Sequence, residues 1–341
     1  MRHSYWLIVI TTLILDSCKK DNQIENTPQN NYKVLWTDFK NNYPAFSIHN
    51  INWDSVYSVD FPKITNNISE NAFLDVVNSS LLTLNDAHSF MIINQKESAN
   101  YYDIFVRQKP FNFISWNTIF TKYVQLYKTN NSNACLAYGK VINQNIGYFL
   151  VESCAENTDD YYMIDSFLSS FKDAKGIIID IRQNPGGNSK KVEIIASRLT
   201  TKSMLYEYVR YRESANNNDL TDFQAITFNP DGLIKYTNKV ILLTNRHTFS
   251  AAENFTLMLR SLSNVIQIGD TTFGGVATSP EFKELPNGWE YAIPTQILCD
   301  NNKIAITNGI APHIPIWISK SDSINGNDRI LEKAIEIING K

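Results

Sequence analysis

The sequence predicts an α/β layer fold with a small helical subdomain ahead of it, and three observations lead there. Short continuous apolar runs, such as Ile177-Ile178-Ile179 and Val240-Ile241-Leu242-Leu243, read as strands buried on both faces. Amphipathic helical patterns alternate with them, which is how a layered strand–helix domain is written in sequence. Upstream of both, apolar residues recur at spacings of three, four and seven, the period of helices. Bulk properties agree: 341 residues with 43% hydrophobic and 19% charged side chains can build a large core. The net charge is −3, and no basic cluster is dense enough to track phosphates, so nucleic acid is not an expected partner.

The elements follow in chain order. Met1-Arg2-His3 and the apolar run Trp6–Leu15 read as a signal peptide over residues 1–17, since the run is too short to span a bilayer. It ends in Leu15-Asp16-Ser17-Cys18-Lys19-Lys20-Asp21, which resembles a bacterial lipoprotein signal of Bacteroidetes type, with Cys18 as the acylated residue. That resemblance implies a protein of the Gram-negative cell envelope, held at the outer membrane by lipid alone. A plain secretory signal with an incidental Cys18 is the alternative. Residues 18–31, rich in Asn, Gln and Thr, read as a flexible tether. Residues 32–94 carry the helical pattern of Val34, Leu35, Phe39, Phe73, Leu74, Val77 and Leu81. Residues 95–140 read as a small β-rich connecting segment, and 141–341 as the α/β domain. Export would place Cys135, Cys154 and Cys299 in an oxidising setting without metal-type spacing. A Cys135–Cys154 disulfide and buried free thiols both remain open.

Three segments carry chemistry. The strand Ile177–Ile181 leads through Arg182-Gln183-Asn184-Pro185 to Gly186-Gly187. A glycine pair there can present amides to an anion, or can simply turn the chain. The strand Val240–Leu243 leads to Phe249-Ser250-Ala251-Ala252-Glu253, with Ser250 at a helix start. A nucleophile gains from that position through the helix dipole, yet the same four residues fit a capping box. The third segment is Leu84-Asn85-Asp86-Ala87-His88, where an imidazole follows a helix.

Taken together, Asp180-x-Arg182-x-Asn184-x-Gly186-Gly187, Asn245-Arg246-x-x-x-Ser250-Ala251-Ala252-Glu253 and Leu84-x-Asp86-x-His88 resemble the S41 peptidase family, of C-terminal-processing and tricorn type. Gly269-Asp270-Thr271-Thr272-Phe273-Gly274-Gly275 and Gly309-Ile310-x-Pro312 resemble its later motifs. The resemblance runs from about residue 32 to 320. It implies a ClpP/crotonase-like α/β core with an N-terminal helical subdomain, and hydrolysis of peptide or unfolded-protein substrates. Ser250 would be the nucleophile and His88 the general base. The oxyanion hole would come from the amides of Ala251 and of Gly186 or Gly187. No metal or organic cofactor is implied, and residues 95–140 leave no obvious room for a PDZ module.

The departures from the family pattern are specific. The processing branch places a Lys base 25 residues after its Ser, and here that position is Gly275. The tricorn-like branch uses a His, oriented by a Glu, but here the Glu position is Ile306, the terminal Asp has become His313, and Ala87 replaces a Ser. His247 is a reserve candidate in the nucleophile loop. The alternative function is therefore a peptide-binding lipoprotein on the same scaffold with impaired catalysis. An α/β-hydrolase esterase lacks its Gly-x-Ser-x-Gly, and a metalloenzyme lacks its ligand cluster.

Overall fold

In the computed structural model of the protein, residues 24–94, 96–98, 111–129, 136–154, 160–214, 216 and 219–341 are described. Cys18 and Cys135 lie outside them, as does the expected signal peptide.

The buried runs assemble one sheet of seven strands in the order β13-β10-β9-β6-β5-β4-β3. Its parallel centre is β5 (Ile146–Val151), β6 (Gly176–Asp180), β9 (Val240–Thr244), β10 (Val265–Gly269) and the short β13 (Ile314–Pro315). The hairpin of β3 (Val124–Thr129) and β4 (Leu136–Val141) extends it antiparallel. Alternate residues of β6 and β9 enter different cores. Ile177, Ile179, Val240 and Leu242 pack under the helices α5 (Met163–Phe171), α6 (Ser189–Ala196) and α7 (Ala251–Arg260). Ile178, Ile241 and Leu243 pack on the other face, against α4 (Trp116–Lys122) and α9 (Arg329–Ile338). A strand covered on both sides has no polar face, which is why these runs are unbroken in sequence.

The second sheet was not anticipated. It is antiparallel throughout and joins β2 (Lys96–Ser98), β1 (Phe90–Ile93), β12 (Glu290–Cys299), β7 (Met204–Tyr211) and β8 (Gln224–Phe228), with β11 (Ala277–Glu284) paired to β12. The N-terminal helices α1 (Pro28–Asn42), α2 (Trp53–Asp60) and α3 (Glu70–Leu82) cover one of its faces. Leu35, Phe39, Trp53, Val77 and Leu81 share a core there with Tyr291 and Ile293 of β12. The helical segment thus forms a layer over the sheet, and its last residues, β1, together with β2 just beyond it, belong to that sheet.

Two expected boundaries shift. α1 starts at Pro28, inside the segment expected to be a tether; Thr27 caps it by accepting from the Asn30 amide, and Pro occupies the first turn, where no amide partner is needed. Asn31 is buried and accepts from the Asn287 amide at 3.0 Å, so the start of α1 is docked. Within residues 95–140, the helix α4 stands in a stretch expected to be β-rich, capped by Ser115. A short helix, α8 (Lys320–Asn325), precedes α9.

Candidate active site

The site is built where β6 and β9 end. Asp180, the last residue of β6, grips Arg182 with Nε at 2.9 Å and Nη2 at 2.6 Å, and the guanidinium reaches on to Asp328 at the start of α9. All three are fully buried. Asn184 donates to the Val151 carbonyl and accepts from the Gly186 amide at 2.8 Å. Its own carbonyl receives the Phe249 amide, tying the glycine loop to the serine loop. A buried, hydrogen-bonded set of this kind fixes a turn because breaking any member strands the others.

The Gly186 amide is thus engaged by Asn184 Oδ1, whereas no such partner holds the Gly187 amide among the described residues. The role of Gly186 is steric. Its φ is +98°, and a Cβ there would come 2.7 Å from Ser250 Cβ and 3.0 Å from the Ala251 nitrogen. The other two amides beside Ser250 are those of Gly187, with φ +133°, and Ala251. Among the described residues neither donates to another protein group.

Ser250 sits at the N-terminus of α7 with φ 56° and ψ −123°, a conformation that costs a non-glycine residue on the order of 1–3 kcal/mol. Its Oγ lies 2.9 Å from His88 Nε2, across 162 positions of sequence. Its amide donates to Glu253 Oε2 at 3.2 Å, the carboxylate half of a capping box. Glu253 does more than cap. It also accepts from Thr272 Oγ1 at 2.7 Å and from the amides of Gly274 and Gly275 at 2.8 and 3.0 Å. The sequence showed it only as part of a cap. Its further partners come from a loop some twenty residues away, and no local pattern signals them.

His88 is buried, and its ring stacks on Phe249 with centroids 4.5 Å apart. Phe249 in turn packs on Phe273 and Ala87, so Ala87 is part of an apolar floor. The His88 amide donates to Asp86 at 2.8 Å, and Asp86 receives the Tyr43 hydroxyl at 2.9 Å. Burial pushes the Asp86 carboxyl up to about 7 and His88 down to about 4, the latter opposed in part by the Ala277 backbone. Nδ1 of His88 is buried on the side away from Ser250 and has the Ala277 backbone, at no better than a loose hydrogen bond, as its neighbour. The arrangement can thus pass a proton between a strained serine and a neutral imidazole, but among the described residues no carboxylate is hydrogen-bonded to that imidazole.

The departures have physical reasons. Gly275 lies beside the ring: a Cβ there would meet Phe249 Cε2 at 2.8 Å and His88 Cε1 at 3.1 Å. Imidazole and a side chain at 275 compete for one space. Ile306 is in the core with Leu298 and Leu257, and its amide donates to the Leu298 carbonyl. His313 accepts the Gln267 amide through Nδ1 at 3.0 Å, at the edge of β10. His247 sits 2.7 Å from Gln183 Oε1 and packs edge-on against Phe111, so the reserve candidate has other partners. Cys154 and Cys299 are free, buried thiols. Among the described residues no group of three or more His, Cys, Asp or Glu is placed to hold a metal ion, and no helix is long and apolar enough to cross a membrane.

A cavity of 290 Å³ opens from Ser250, Ala251 and Gly187. Its far wall is the face of the antiparallel sheet turned away from the N-terminal helices, including Glu207 and Tyr211 of β7 and Gln296 of β12.

Comparison with known proteins completes the description. The model of peptidase family S41 matches residues 145–316. Over 151 residues, 43% of this chain and 30% of the relative, the sequence is 30% identical to the carboxy-terminal processing protease CtpA of Bacillus subtilis. The match thus spans about a third of that relative's length. A crystal structure of a candidate peptidase from Parabacteroides merdae superposes with a TM-score of 0.82 at 27% identity, covering 92% of this chain and 97% of that one. Mature CPAF shares the fold, with a TM-score of 0.71 at 11% identity over 92% of this chain and 98% of its own.

Proposed function

The chain belongs to peptidase family S41, and we propose on that basis that it hydrolyses peptide bonds through Ser250, with His88 as general base. The observation that carries the reading is the 2.9 Å contact between Ser250 Oγ and His88 Nε2 at the end of two buried strands. Neutral His88, with its proton on Nδ1, accepts the hydroxyl proton as Oγ attacks the substrate carbonyl. The amides of Ala251 and Gly187 stabilise the oxyanion, each such donor being worth roughly 10²–10³ in rate. The N-terminus of α7 adds its positive end to the same charge. The imidazolium then protonates the leaving amine, and water, deprotonated by His88, releases the acyl group. Substrates are peptides or unfolded proteins. We further propose that Cys18 is acylated and anchors the protein at the outer membrane of a Gram-negative envelope.

One observation favours the second reading, a peptide-binding protein with impaired turnover. Nδ1 of His88 has no carboxylate partner. In the serine-protease template, removing that partner's charge costs about 10⁴ in kcat. Labelling residues 21–341 with a fluorophosphonate, beside Ser250→Ala and His88→Ala, tests the choice. The peptidase reading expects labelling that both substitutions abolish. A folded wild type that does not label would move the binding reading to first place.

A further inference from the structure

We infer that the cavity beside Ser250 is a subsite for a basic side chain, an Arg or Lys of the residue whose carbonyl is attacked, with Glu207 as its acidic partner. This rests on the peptidase reading of the same site. The geometry begins with β7. Its register against β8 shifts between Leu205 and Glu207, a bulge that brings Tyr206 and Glu207 together to the cavity wall. Val209 and Tyr211 continue along the same face at the two-residue period of a strand. Glu207 is only 5% exposed, yet it lines the space that opens from the nucleophile.

A structural carboxylate in that place should have its acceptor sites filled by protein. Asn254 Nδ2, one turn along α7 from Ser250, donates to Glu207 Oε2 at 2.6 Å. Tyr206 adds its hydroxyl on the same side of the balance, favouring the ionised form. A carboxylate accepts at about four positions, so capacity is left over. Contrast Glu253, with four donors around its two oxygens. Burial also lifts the Glu207 carboxyl to about 7, a charge held at a cost that a cation in the cavity would relieve. The cavity's own cation, Lys190, favours the ionised form of Glu207 only from a distance: its side chain is 79% exposed and paired with Glu193 at 2.8 Å, so no hydrogen bond from it reaches Glu207. The scissile carbonyl must sit between Ser250 Oγ and the amides of Ala251 and Gly187. The side chain borne on the Cα next to that carbonyl would then face the cavity, which opens from the same three residues.

The test uses Ser250→Ala, which separates recognition from turnover, and three product-like peptides identical except for a C-terminal Arg, citrulline or norleucine. Citrulline keeps the shape of Arg without its charge. Calorimetric titration should show the Arg peptide binding at least about tenfold more tightly than the citrulline peptide, as a desolvated charge pair requires. Glu207→Gln in the same background should reduce the ratio to within about twofold. Equal affinity for Arg and citrulline would overturn the subsite, and so would an Arg preference that survives Glu207→Gln. The first comparison needs no substitution at Glu207, so it decides even where that variant fails to fold. Fluorophosphonate labelling without an Arg preference sinks the subsite alone. An Arg preference without labelling sinks the peptidase reading and leaves the subsite standing.

Discussion

Gly275→Ala is the sharpest probe of the proposed catalytic pair. The glycine is not needed for its backbone conformation, since its φ lies outside the left-handed region. Its amide bond to Glu253 would survive the change. What alanine adds is one methyl carbon, 2.8 Å from Phe249 Cε2 and 3.1 Å from His88 Cε1. Carbon atoms ordinarily meet at about 3.5 Å, so the stacked rings must retreat by roughly 0.4–0.7 Å. That carries His88 Nε2 away from a hydroxyl now at 2.9 Å. A misplacement approaching 1 Å costs up to about 10² in rate, so the expected loss is about ten- to a hundredfold. The assay is the second-order rate of fluorophosphonate labelling at Ser250, which needs no knowledge of the substrate, read beside a thermal melt. Labelling within about twofold of wild type would refute the claim that His88 and a side chain at 275 exclude one another. A melt that collapses with the rate would move the effect from the site to the fold.

Other outcomes follow from the same contacts. His88 works as a base only when neutral, and burial holds its pKa near 4, so the acid limb of the labelling rate should fall near pH 4. A limb near 6.5 would show a solvated imidazole. Glu253→Gln replaces a carboxylate that serves four donors with a group offering one acceptor oxygen and two hydrogens. At about 1–3 kcal/mol for each stranded donor, the melting temperature should fall by roughly 5–15 °C, with labelling reduced as well. Asp328→Ala leaves buried Arg182 short of one carboxylate and removes the α9 cap. Urea denaturation should show a loss of about 3–5 kcal/mol.

The parallel strands were legible because burial on both faces leaves no polar residue in Ile177–Ile179 or Val240–Leu243. Ser250 and His88 were legible only through motif resemblance, since nothing local says that positions 162 residues apart will touch. The second sheet was hidden because one face of β7 and β12 packs under the N-terminal helices while the other is divided between the core under α7 and a polar cavity. Glu207 and Gln296 therefore interrupt the apolar pattern, and Pro280 and Pro294 argue further against strands. Gly186 was read for its amide and matters for its missing Cβ. That distinction depends on which way Asn184 turns, a fact of packing. The meaning of Gly275 was half visible: the absent lysine could be read from the chain, the imidazole edge filling its place could not.

His88 stands just ahead of β1, in the antiparallel sheet, whereas Ser250 follows β9 of the parallel one. The Ser250–His88 separation is consequently a gauge of how the two sheets are docked. Splaying them by an ångström would disconnect the pair while leaving every strand, helix and glycine turn intact. The side chains that hold the sheets at that distance are those shared by both, such as Tyr206, Phe228 and Leu298 packed with the core of the parallel sheet. A folded, helical, well-melting sample is then no guarantee of a competent one, and labelling of Ser250 reports the alignment of the halves as much as the chemistry of the residue.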